Sequence, residues 1–266
     1  MVTRYMTKNP CYTAGRIIRV EKLMLHSIGV AQPEAEGLIN QFNQPDYTRA
    51  CVHGFIDADE TYITMPCLET PGYAMRAPHA GKSAMNNRSI GIEMTEPAEI
   101  EYLYGATFRV LNRAKAVAHM EAVTRRAVDL FAELCIFHDL DPMEDILSHY
   151  EGALEGVASA HGDPDHMWRG LGMDYSMDHF RRDVAERMEE MTMDIEKMIE
   201  EMTDAQAYAL LKKAQRHAAT LPQQDWSKQE GHWDRAKETG LTDGNAPEGL
   251  VKRSEVMAWF GRKGLI

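Results

Sequence analysis

The hydrophobic period of this chain switches repeatedly before residue 138, and that switching limits the fold more than any other feature. Arg16 to Ser27 (RIIRVEKLMLHS) carries two short apolar runs and reads as strand. Pro33 to Phe42 has helical spacing. Ala50 to Asp57 and Thr61 to Pro66 read as a strand pair across the turn Ala58-Asp59-Glu60, and Ser89 to Thr95 (SIGIEMT) as a further strand. Thr107 to Phe137 then places Val110, Leu111, Ala114, Val117, Val123, Ala127, Leu130 and Leu134 at helical spacing, which predicts one long helix. Strands with interspersed helices predict an α/β domain, a central mixed β-sheet flanked by helices.

The charge follows the same division. The chain has 266 residues and a net charge of −12, of which residues 1–180 hold −10 (15 basic against 25 acidic), residues 181–221 hold −2 and residues 222–266 none. We therefore expect a catalytic-sized domain over 1–180, a helical linker over 181–221 and a small, mainly α module over 222–266. An acidic surface argues against a nucleic-acid partner and against loose binding to an anionic membrane. No run approaches 18 apolar residues, and the N-terminal MVTRYMTKNPCYTAGR has no apolar segment of the kind a secretory signal needs. Cys11, Cys51, Cys67 and Cys135 form no CxxC pair and read as reduced thiols.

From Asp183 the spacing becomes heptad-like. Val184, Met188, Met191, Ile195, Met198 and Met202 alternate steps of four and three, with charged residues between them. Such a helix lies on one of the domains or pairs with a second copy, and a homodimer through residues 183–202 is the expectation the exposed stripe would favour. Thr203 and Gln206 form a possible capping box, where the helix restarts.

The residues able to do chemistry sit where apolar runs end. LMLHSIG puts His26 where a strand leaves the sheet, and ILSHYEG does the same for His149. The cluster His161-Gly162-Asp163-Pro164-Asp165-His166 follows. Two such histidines and an aspartate suit a catalytic zinc, whose three protein ligands at about 2.0–2.2 Å leave a fourth position for water. With eleven histidines in the chain, spacing alone leaves open which of His26, His53, His149, His161 and His166 bind metal. A local site from His161, Asp163 and His166 fits the spacing as well.

His26 in LHSIG, His53 in VHGFID, Pro78-His79-Ala80-Gly81, Asn86 to Glu93 (NNRSIGIE) and His149 to Trp168 (HYEGALEGVASAHGDPDHMW) follow one another in a familiar order. Together, over residues 12–170, they resemble the zinc-dependent N-acetylmuramoyl-L-alanine amidases, the class related to phage lysozyme-type amidases and peptidoglycan recognition proteins. The resemblance implies a zinc held by His26, His149 and Asp163, a catalytic Glu93, and bacterial peptidoglycan as substrate. His161 stands where many members have lysine; a histidine supplies the same donor only when protonated or in one of its tautomers. His79, Asn86 and Asn87 would line the substrate groove, and Trp168 would pack in the core.

Trp226, Trp233, Ala236, Gly240, Asp243-Gly244, Pro247, Arg253 and Glu255 resemble one S-layer-homology-type repeat, a module that binds cell-wall polymers. The combined expectation is an endolysin-type enzyme of phage or prophage origin, held in the host bacterial cytoplasm until it is released to the cell wall. Two alternatives are a peptidoglycan-binding module without catalysis and a zinc peptidase cutting within the stem peptide.

Overall fold

The structure is a computed structural model, and it describes residues 1–218. The expected wall-binding module over 222–266 lies outside the described residues. In chain order the elements are β1 (Val2–Thr3), α1 (Pro10–Ala14), β2 (Ile17–Arg19), β3 (Lys22–Ser27), α2 (Ala35–Phe42), β4 (Gly54–Ile56), β5 (Thr61–Ile63), β6 (Tyr73–Met75), α3 (Ser83–Asn86), β7 (Ser89–Met94), β8 (Ile100–Tyr104), β9 (Thr107–Val110), α4 (Arg113–His138), α5 (Pro142–Asp145), β10 (Ile146–Ser148), α6 (His149–Leu154), α7 (Asp165–Gly170), α8 (Met177–Glu200) and α9 (Asp204–Ala218).

β3 and β7 are buried along nearly their whole length, the mark of strands covered on both faces, and they form the centre of a six-stranded sheet ordered β1-β5-β4-β7-β3-β10. β3 runs parallel to both β7 and β10, and β4 runs parallel to β7. Only the β4–β5 pair is antiparallel, so the sheet is mixed, as the switching period predicts. Leu23, Leu25, Ile90 and Ile92 meet Met120, Val123, Ala127, Phe131 and Leu134 of α4 in one apolar core. Trp168 is fully buried in it, with its Nε1 donating to Thr124 Oγ1 over 3.3 Å.

The stretch expected as one helix from Thr107 to Phe137 is two elements. Thr107–Val110 pairs antiparallel with β8 as a hairpin, and the helix starts only at Arg113, where the Asn112 side chain accepts from Lys115 N. Val110 fits a helical period and a strand alternation equally well, and the asparagine cap decides between them. Likewise Arg16–Ser27 is split: β2 leaves the main sheet to pair with β6.

The described chain falls into two compact units, Met1–Thr192 and one beginning at Met193. Within the first, Val184 is buried in the core and Met188 and Met191 pack against it, so this half of the heptad stripe is covered by the chain's own domain and not by a second copy. Ile195 and Met198, in the second unit, are exposed. α9 restarts after a capping box in which Gln206 N donates to Thr203 Oγ1 and Thr203 N donates to Gln206 Oε1. No helix among the described residues is long and apolar enough to cross a membrane.

Candidate active site

Parallel strands deliver their carboxyl ends to the same edge of a sheet, and here that edge carries the chemistry. His26 ends β3 and pairs in register with Glu93 on β7. His149 follows β10 as the first residue of α6, whose start is fixed by a capping box: Glu151 N donates to Ser148 Oγ and Ser148 N donates to Glu151 Oε2. Asp163 arrives on the following loop, held by Tyr150 N donating to its carbonyl and Ser27 N donating to its Oδ2 over 3.3 Å.

The three side chains converge. His26 Nδ1 lies 3.0 Å from His149 Nδ1, and Asp163 Oδ2 lies 3.4 Å from the first and 3.5 Å from the second. Ligands about 2.0–2.1 Å from a tetrahedral centre stand about 3.3 Å apart along each edge, so this triangle has the size of one face of a zinc site. It is also the one group of three or more His, Cys, Asp or Glu side chains with such convergence among the described residues.

Hydrogen bonding behind the histidines assigns their protons. His79 Nε2 faces the carbonyl of Ser89, an acceptor only, so it carries hydrogen. His79 Nδ1 is then bare and accepts from His26 Nε2 at 2.9 Å, which leaves His26 Nδ1 bare toward the triangle. On the other side His149 Nε2 faces His161 Nδ1 at 3.0 Å. Ser159 Oγ stands between them, 3.2 Å from His149 Nε2 and 3.1 Å from His161 Nδ1, so the three groups share their hydrogens. Two ring nitrogens 3.0 Å apart beside a carboxylate, one of them left bare by its neighbour, form a donor set whose chemistry fits a metal.

The electrostatics agree. Burial would raise the Asp163 carboxyl, but the two imidazoles beside it outweigh burial and hold it well below the usual carboxylate range. Burial lowers His26 and drives His79 well below the ordinary histidine value, so both are neutral. Burial, then the charges of Asp163 and Glu96, push Glu93 well above the ordinary glutamate value, and its buried Oε2 has no hydrogen-bond partner among the described residues. The positive charge of a metal in the triangle acts in the opposite sense.

These groups line an open groove of roughly 770 Å³, walled by Ile28, Gly29, the hairpin tip Gly105-Ala106, and Tyr150 and Leu154 of α6. His161 is exposed at its rim, with its Nδ1 committed and its Nε2 free. Asn86 and Asn87, expected on the groove, are not among its lining. Asn86 is buried and its Oδ1 accepts from His79 N and Ala80 N, while Asn87 Oδ1 accepts from Arg76 Nε. His79 borders the groove, but both its ring nitrogens are engaged by the protein, so it supports His26 and has no free nitrogen for a substrate. The ring packs against Gly91, where a Cβ would stand 2.3 Å from it, so the glycine of IGIE makes room for this support.

His53 is fully buried away from the triangle, bonded to Met75 O and accepting from Gly91 N. His166 does not join a local site with His161 and Asp163; its Nε2 faces the Tyr102 hydroxyl at 2.7 Å. That hydroxyl donates to Glu96, which also accepts from Ser27 and Gly29. Burial raises Glu96 to about 7 against the opposing pull of those hydrogen bonds. Glu96 and Tyr102 carry no sequence signal: an acidic residue in MTEPAE reads as solvated surface.

A model of the family described as N-acetylmuramoyl-L-alanine amidase matches residues 17–166, more than half of the chain. Comparison with curated proteins finds no match. Among solved structures, the Staphylococcus aureus hydrolase AmiA in complex with its ligand shares 20% identity at a TM-score of 0.47, covering 64% of this chain and 73% of its own. The catalytic domain of XlyA shares 18% identity at a TM-score of 0.48, covering 69% and 97%. A mutant endolysin from Bacillus subtilis shares 17% identity at a TM-score of 0.46, with the same coverages. By its family match the chain belongs to the N-acetylmuramoyl-L-alanine amidases, and it is a peptidoglycan hydrolase that cleaves the amide bond between N-acetylmuramic acid and the L-alanine of the stem peptide.

Proposed function

We propose that His26, His149 and Asp163 hold a zinc ion at the floor of the groove, and that Glu93 and His161 act on the amide above it. The observation that carries this reading is the triangle of two ring nitrogens and a carboxylate oxygen, 3.0 to 3.5 Å on each side. Zinc, when bound, supplies Lewis acidity toward the scissile carbonyl and lowers the pKa of water to about 7. Glu93, on the neighbouring parallel strand, takes the proton from the attacking water. It then returns that proton to the departing nitrogen of L-alanine, so one carboxylate serves both halves of the reaction. The Nε2–H of His161 faces the groove and donates to the oxygen on which negative charge develops.

The setting we propose is that of an endolysin of phage or prophage origin, released from the host cytoplasm to the wall, with residues 222–266 retaining it there. Pairing of two chains through Ile195 and Met198 would strengthen that retention, and a dimer mass by light scattering at micromolar concentration is its test.

Digestion of purified cell walls tests the reaction. New free amino groups on L-alanine without new reducing ends are expected; cuts within the stem peptide would refute the bond assignment. Zinc titration of chelator-treated protein tests the metal, and a parent protein that binds none would remove zinc from the mechanism.

A further inference from the structure

Glu96 lies just past the end of β7, is fully buried, and does not border the groove. A carboxylate in such a place is costly unless its lone pairs are filled, and here they are. Ser27 Oγ donates to Oε1 at 2.7 Å, Gly29 N donates to the same oxygen at 3.0 Å, and Tyr102 Oη donates to Oε2 at 2.6 Å. Tyr102 has a single hydrogen and spends it on Glu96, so its oxygen accepts from His166 Nε2 at 2.7 Å. Every donor in the chain points toward Glu96.

The donors come from the segments that carry two of the three converging side chains, His26 and Asp163, and from the hairpin beside them. Ser27 follows His26, and its backbone N–H is the one that reaches Asp163 Oδ2. His166 is the second residue of α7, the helix that follows Asp163. Tyr102 belongs to the β8–β9 hairpin, whose tip is seated on the same loop: a Cβ on Gly162, between His161 and Asp163, would stand 3.2 Å from the Cβ of Ala106. One buried carboxylate thus ties the exit of β3, the hairpin and the Asp163 loop to one another.

We infer that Glu96, acting through Ser27 and through Tyr102 and His166, is a positioning residue that presets the spacing of His26 and Asp163 for the metal. The inference rests on the zinc reading above. It concerns how tightly the site holds zinc and not the reaction itself, since Glu96 touches neither the groove nor the three donors. Outer hydrogen bonds of this kind are worth roughly 10–100-fold in metal affinity.

The test is zinc affinity by competition with a chelator, on the full chain, for the parent and three variants. Tyr102→Phe keeps the ring and removes the bridging hydroxyl; Glu96→Ala empties the hub; Glu96→Gln keeps an acceptor for Ser27 and Gly29 and a polar contact for Tyr102. We expect Tyr102→Phe and Glu96→Ala to bind zinc roughly 10–100-fold more weakly, Glu96→Gln to restore most of the loss, and KM of zinc-saturated Tyr102→Phe to stay at the parent value. If Glu96→Ala does not fold, Tyr102→Phe alone decides. Zinc affinity in folded Tyr102→Phe within twofold of the parent overturns the inference while leaving the zinc reading intact. A raised KM with unchanged zinc affinity overturns it by placing Tyr102 on the substrate. A parent that binds no zinc overturns the zinc reading, and this inference with it.

Discussion

His26 Nε2 and His79 Nδ1 lie 2.9 Å apart, and this contact decides which nitrogen of His26 is left bare for a metal. Replacing His79 by leucine keeps the volume and frees His26 to rotate or change tautomer. Zinc affinity should fall roughly 10–100-fold, read by chelator competition, with the circular dichroism unchanged. Gly91→Ala should weaken zinc in the same direction by pushing the His79 ring, although it leaves every hydrogen-bonding group in place. Parent-like affinity in both variants would show that His26 needs no such support.

Glu93→Gln should fold and bind zinc, because amide and carboxylate are nearly isosteric. Turnover should fall by about 10²–10⁴, the usual share of a positioned acid and base. Activity within a few fold of the parent would transfer the proton work to another group, with His161 the next to test.

His161→Ala removes the free donor at the groove rim. We expect kcat to fall by about 10²–10³ with KM little changed, the pattern of an interaction made only in the transition state. His161→Lys should recover a large part of the loss, since an ammonium donates from the same side. A KM effect without a kcat effect would make His161 a substrate-binding group instead.

His53 offers a pH test that does not involve the metal. Burial lowers it to about 4, so the folded protein keeps it neutral while the unfolded chain protonates it near 6.5. The stability this contributes is fully present above about pH 6.5 and is lost as pH falls toward 4, about 3 kcal/mol in all. Urea unfolding at pH 7 and pH 4.5 should therefore show a larger loss in the parent than in His53→Gln, where this linkage is absent. Equal losses would mean that His53 is protonated in the folded state.

The strands carrying His26, Glu93 and His149 were legible because each is a short apolar run ending in a polar residue, which is how a buried parallel strand must look. Position along a strand is a one-dimensional property, and sequence supplies it. The direction a side chain faces in a loop is not: Asn86 stands in a polar loop next to the strand that carries Glu93, yet it turns inward to bond backbone, and His79 borders the groove while spending both ring nitrogens within the protein. Thr107 to Val110 was hidden for a different reason: a four-residue strand followed closely by a capped helix fits one continuous helical period. The Glu96 hub had no local signal, because its partners stand far from it and from one another along the chain.

The order of the sheet also bears on how the enzyme comes into being. β10 is the edge strand beside β3, yet it lies more than a hundred residues further along the chain, and Asp163 comes later still. A chain halted during synthesis before Asp163 emerges has two of the donors and no third, so metal capture must wait for nearly the whole catalytic unit to be made. Zinc would then bind only the finished fold and stabilise it by mass action. Scarcity of zinc would lower the amount of folded enzyme as well as its activity.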